Sequence, residues 1–196
     1  MSQLNVDALR HSTAPNGPGI DIASNGNVSF DTDTVFVDSV NDRVGVNTTS
    51  PTGSLHVVGT DGIRLAAQPL LEGVNIINGT SNGNTNIDVL TSSTVLYTSS
   101  NTGNWTPNIR GDGSNSLNDI MNTGEVIVVT LISALGGSSG YAANMNIDGS
   151  GQTEYWYNEE QPDERGGTSG FDVYSYSIIK LGSGSWRVFA SKNWHA

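Results

Sequence analysis

The chain has 196 residues, 24 of them glycine, no cysteine, and a formal net charge of −11 carried against only 8 Lys and Arg. That balance excludes a disulfide framework, and it makes phosphate backbones and anionic membranes poor partners, because an acidic surface repels both. Gly, Asn, Ser and Thr in abundance favour short strands joined by tight turns, whereas long helices need Ala, Leu, Glu and Lys in quantity. Apolar runs recur to the last residues, which argues against a disordered chain of low complexity.

Met1 to Arg10 lacks the basic start and apolar core of a secretory signal. Three turn-centred units then open the chain. Ile20-Asp21-Ile22 and Val28-Ser29-Phe30 alternate about Asn25-Gly26, a favoured centre for a type I′ hairpin turn. Val35-Phe36-Val37 and Arg43-Val44-Gly45-Val46 flank Asn41-Asp42, and Leu55-His56-Val57 and Ile63-Arg64-Leu65 flank Asp61-Gly62. Each hairpin carries only a few large apolar residues, and a lone hairpin is marginal in water, so these units need partners along the chain or from other chains. They are spaced too unevenly for a strict repeat.

Val74 to Ile77, Ile87 to Leu90 and Val95 to Tyr97 read as short strands in a connecting region. From Trp105 onward the sequence is richer in aromatics and holds all four tryptophans. Leu117, Ile120 and Met121 follow Asn115-Ser116 at helical spacing and predict one helical turn. Glu125 to Ser133 is a continuous β-branched run, the pattern of a strand buried on both faces. Tyr141 to Ile147, Phe171 to Leu181 and Trp186 to Ala190 add three strands. The longest apolar stretch, Val126 to Leu135, is half the roughly 20 residues that span a bilayer. The expected fold is all-β. It comprises an N-terminal attachment and hairpin region (1–65), a connecting β region (66–104) and a C-terminal β-sandwich or jelly-roll-like knob (105–196).

Arg43-Val-Gly-Val-Asn-Thr-Thr-Ser-Pro-Thr-Gly-Ser-Leu-His-Val57 resembles a motif of tail fibres and structural proteins of tailed phages, marine ones especially. There it usually reads Val-Gly-Ile-Gly, Thr-Thr-Ser-Pro, Leu-His-Val; Asn47 stands here in place of the usual glycine. The stretches Gly103 to Gly111, Gly124 to Thr130, Ile147-Asp148-Gly149 and Asp172 to Lys180 are similar to a second recurrent module of marine-phage structural proteins. The resemblance implies a virion component, commonly a homotrimer, assembled in the host cytoplasm. A tail fibre or spike for host attachment is the reading preferred, because repeated hairpins imply elongation. A capsid-decorating, cement or head-fibre protein is the alternative, and a polysaccharide-binding or depolymerising tailspike a second.

Enzymatic signatures are missing from the sequence. His11, His56 and His195 share no metal-ligand spacing, and no phosphate loop, nucleophile elbow or His-Glu-x-x-His occurs. Asn144-x-Asn146-x-Asp148-Gly149 resembles the start of a calcium loop, but its twelfth position is Tyr155 rather than Glu, so a plain turn at Asp148-Gly149 is expected. Glu154, Glu159, Glu160, Asp163 and Glu164 surround Tyr155-Trp156-Tyr157, the ingredients of a sugar-binding or sugar-cleaving surface. Of these, Tyr155, Trp156, Tyr157, Glu159 and Glu160 are the candidate receptor or glycan contacts, weighed against core packing of Trp156 and subunit contacts of its neighbours. Leu4, Val6, Leu9, Arg10 and His11 are the candidate particle-docking segment. Neither a catalytic residue, a cofactor nor a metal is expected, and the expected partners are further copies of the chain, other virion proteins and a host surface glycan or receptor.

Overall fold

A computed structural model describes residues 8–10, 19–30, 34–59, 63 and 71–196. The chain is all-β, with one short helix, and divides into two compact units between Leu70 and Leu71. Leu4, Val6 and His11 lie outside the described residues, as do Asp61, Gly62, Arg64 and Leu65 of the third expected hairpin.

The first unit holds one six-stranded sheet whose strands follow chain order. They are β1 (Ala8–Arg10), β2 (Gly19–Ile22), β3 (Val28–Phe30), β4 (Val35–Asp38), β5 (Arg43–Val46) and β6 (Leu55–Val57). The first two expected hairpins are present, with Ile20 opposite Phe30 and Val35 opposite Val46. Their turns differ from expectation. Gly26 has φ +88° and Asn25 does not share a positive φ, while Gly26 N–H reaches Ala23 C=O at 2.9 Å. The connection is therefore a three-residue loop that ends in a left-handed glycine, not a type I′ pair. In the second hairpin the Asp38 carboxylate accepts the Val40 and Asn41 N–H groups, and Asp42 takes the left-handed residue at φ 55°.

The 43–57 motif forms a parallel pair, β5 with β6, in which Val44, Gly45 and Val46 face Leu55, His56 and Val57. The loop between them is short and tightly held. Arg43 donates to Pro51 C=O at 2.9 Å, and Thr52 N–H donates to His56 Nδ1 at 3.3 Å. A Cβ on Gly45 would stand 2.2 Å from Thr48 O, so this glycine is sterically required. Asn47 has φ 55°. Asn is the residue that tolerates that region best after Gly, which explains how it replaces the motif's usual glycine.

Among the described residues of this unit, no large apolar side chain is buried. Asp38, Gly45 and Pro51 are, whereas Phe30, Leu55 and Ile63 are 41%, 64% and 68% exposed. The described strands make a single layer.

The second unit is a two-sheet sandwich over one core. Its strands are β7 (Val74–Ile77), β8 (Gly83–Asp88), β9 (Thr94–Tyr97), β10 (Trp105–Arg110), β11 (Val126–Ala134), β12 (Asn146–Ile147), β13 (Ser150–Gly151), β14 (Glu154–Trp156), β15 (Phe171–Gly182) and β16 (Ser185–His195). From β7 to β12 the chain switches sheet at every step. As a result β7, β9 and β11 pair in parallel in a six-stranded sheet, and β8, β10 and β12 pair in parallel in a four-stranded one. This coil then closes on the long antiparallel pair β15–β16, which extends the six-stranded sheet. The sandwich is thus present, reached by coiled parallel crossovers in its first half.

Ile87, Ile109 and Ile147 from the smaller sheet meet Val95, Val129, Leu131, Tyr174, Ile178 and Val188 from the larger in one buried cluster. Strands β7 to β9 share that cluster, so the change of composition near residue 104 marks no structural boundary. The expected helical turn is α1 (Leu117–Ile120), capped by Ser116, whose Oγ accepts Asp119 N–H at 3.0 Å. Lys180, 7% exposed, donates to the carbonyls of Asn118 and Met121 just beyond it. Successive coil turns are tied inside by Asn101. Its amide donates to Ser81 and Ser133 Oγ at 3.2 and 3.4 Å and accepts Gly140 N–H at 2.8 Å, so the buried side chains of Asn101, Ser81 and Ser133 satisfy one another.

Candidate functional site

Strand β14 runs parallel to β16 at the edge of the six-stranded sheet, and a 3-10 turn, Tyr157–Glu159, follows it. Strand alternation then splits the three aromatic residues. Trp156 turns inward, half-buried, with its ring 6.0 Å from that of Tyr176 in an edge-on contact. Tyr155 turns outward against Phe189 at 6.0 Å, and the Arg187 guanidinium lies 4.7 Å over its ring, a cation–π contact. Tyr157 is 75% exposed. Two grooves flank this edge. One of about 420 Å³ is lined by Tyr155, Tyr157, Phe189, Ser175, Ser177 and Ser191, and a second of about 630 Å³ by Tyr157, Glu160, Gln161, Asp163, Glu164 and Lys192. The first offers aromatic faces beside hydroxyls, and the second carboxylates beside an amide and an ammonium. The structure therefore brings Tyr155, Tyr157 and Glu160 to one edge and takes Trp156 into the core margin. The backbone of Glu159 lies in the turn, and its side chain is outside the described part.

Glu160, Asp163 and Glu164 line the second groove, and Glu154 stands outside it. Glu154 accepts Met145 N–H at 2.6 Å, and burial raises its carboxyl above the usual range. Asp148 and Gly149 have φ 50° and 80°, the two left-handed residues a type I′ turn requires, and join β12 to β13. The Asp148 carboxylate accepts Leu117 and Asn118 N–H at 2.7 and 3.0 Å and so caps α1. The calcium-like spacing at 144–149 is a turn and a cap. His56 accepts a hydrogen bond within the 43–57 loop, and His195 ends β16. Among the described residues, no cluster of three metal-ligating side chains occurs. Of the expected docking segment, Leu9 and Arg10 lie in β1, where they pair with Ile20 and Gly19 of β2.

The outer face of the six-stranded sheet was not singled out from sequence. Side chains that alternate away from the core form rows across the strands. Val126, Ile179 and Arg187 make the first, and Val128, Ser177, Phe189 and Tyr155 the second. Thr130, Thr94, Ser175 and Ser191 make a hydroxyl row with Val74 at its end, and Ile132, Leu96, Val173 and Ile76 make a fourth with Asn193 at its end. Val126 and Val128 are 60% and 52% exposed. The β-branched run that reads as buried on both faces is therefore buried on one only.

No protein-family model, curated protein or solved structure matches the chain.

Proposed function

We propose that the chain is a non-enzymatic structural component of a tailed-phage virion, a homotrimeric tail fibre or spike that takes part in host attachment. The observation that carries this reading is the first unit, a sheet whose described apolar side chains find no core of their own. A layer of that kind is completed by other chains, as in assemblies built by repetition of small units. The 43–57 motif, with its required Gly45 and its left-handed Asn47, adds the resemblance to phage fibres on specific backbone grounds. Ser2 to His11 dock on the particle. The Tyr157–Glu160 side of that edge, where Glu160, Asp163, Glu164 and Lys192 line the second groove, is the part of the second unit best equipped to meet a host glycan.

Gold-labelled antibody against the chain, applied to purified particles, tests the proposal. A few labels per particle on the tail are expected. Label spread in hundreds over the head makes the protein a capsid decoration, and unlabelled particles remove it from the virion.

A further inference from the structure

We infer that the outer face of the six-stranded sheet is the surface through which copies of this chain meet, with like rows of side chains packed at the same height around a shared axis that runs along the strands. The inference rests on the homotrimeric reading for the number of copies, and four observations supply the surface.

The first is the sequence of β11. Val126-Ile-Val-Val-Thr-Leu-Ile132 is apolar or β-branched at every position, a pattern selected for burial on both faces. Only Val129 and Leu131 of the run are fully buried. Second, the opposite face of the same sandwich shows what this chain puts against water. Across β8, β10 and β12 the outward rows are Asn86-Asn108-Asn146 and Asp88-Arg110. Asn108 donates to Asn86 at 2.8 Å, and Arg110 pairs with Asp88 at 2.6 Å. The two faces share a core and differ in what they are made to touch.

Third, the charge pattern selects the occupant. The chain carries −11, so copies repel one another over most approaches. The four rows hold no carboxylate, and their one cation, Arg187, is engaged with Tyr155. This is where acidic copies approach at least cost, and it has nothing with which to recruit a strongly charged partner. Fourth, the rows are complementary to themselves. Hydroxyls both donate and accept, so a Thr/Ser row finds its partners in another copy of the same row, while the aliphatic and aromatic side chains of the rows on either side meet their own kind and Ser177 and Asn193 can pair with their counterparts. Six strands at about 4.8 Å spacing and four rows about 6.8 Å apart give roughly 500 Å² in projection, and more as accessible surface. A specific interface takes about 800 Å² from each partner, so this face supplies a substantial part of one and not the whole.

The chain has no cysteine, so a single thiol reports on one place. Val128→Cys puts it on the inferred face, and Asn84→Cys puts it on the exposed outer face of β8 as the reference. Both full-length variants are reacted with a maleimide, and their masses are measured in the same buffer. A trimeric mass with V128C at least tenfold slower than N84C is the expected result. A trimeric mass with equal rates overturns this surface and leaves the trimer standing. A monomeric mass with V128C reactive overturns both. A monomeric mass with V128C protected assigns the cover to residues 1–70 of the same chain and overturns contact between copies.

Discussion

Trp105→Ala is expected to lower the stability of the second unit by about 3–5 kcal/mol, the cost of deleting a large buried aromatic and leaving its cavity. Trp105 is 1% exposed, opens β10, and stands edge-on to Tyr97 at 6.0 Å and Tyr174 at 5.8 Å, so its ring joins the two sheets. Small domains have about 5–15 kcal/mol in all, and the loss removes a large share of it. Denaturant unfolding followed by Tyr and Trp fluorescence measures the shift in midpoint. The indole Nε1 of Trp105 makes no hydrogen bond to a protein group. Trp105→Phe therefore loses volume alone and should cost distinctly less than Trp105→Ala. Equal costs for the two variants would place the ring's contribution in a polar contact rather than in packing.

Alkaline pH should unfold the protein steeply. Burial pushes the Tyr97 phenol up to about 12, and burial raises Tyr174 and Tyr176 as well. An unfolded tyrosine ionises near 10, so between that pH and its folded value the unfolded chain has released a proton that the folded chain still holds. Stability is then complete below about pH 10 and falls as pH rises, by about 1.4 kcal/mol per pH unit for each such phenol. Three phenols acting together give about 4 kcal/mol per unit once all are ionised in the unfolded state. Urea midpoints at pH 9, 10, 11 and 11.5 should fall slightly across the first two and drop sharply across the last two. A level series to pH 11.5 would mean that these side chains are open to solvent.

Local patterns in the sequence yielded local structure. Alternation about Asn25-Gly26 places the β2–β3 hairpin, Ser116 before Leu117, Ile120 and Met121 places α1, and Asp148-Gly149 places a turn. What failed was non-local. Parallel pairing of β7 with β9 and of β8 with β10 joins strands that are separated by a strand of the other sheet, and no window of sequence carries that information. The same coil puts β7 to β9 into the core of a unit whose aromatic content changes at residue 104. Tyr141 to Ile147, rich enough in apolar residues to read as a strand, pairs only at Ala142 and at Asn146–Ile147. The Asp148 carboxylate reaches across about thirty residues to α1, so the calcium-like spacing could be interpreted only once its partner was visible.

The candidate site was legible in part for the same reason. Three consecutive aromatics mark an edge strand, but which of them faces outward depends on register with β16, and that register sets Tyr155 against Phe189 and hides Trp156. The outer face of the six-stranded sheet was written into β11 as a strand with two apolar sides. Its meaning emerged when one of those sides proved exposed in the single chain.

The mass of the full-length protein by sedimentation velocity decides between an assembly of copies and a single chain, because both the first sheet, whose described apolar side chains are not buried, and the apolar outer face call for further copies. About three times the chain mass of 20.6 kDa, in an elongated particle, is the expected result. A compact species at 20.6 kDa would contradict it, since the exposed apolar surfaces would then be covered within one chain.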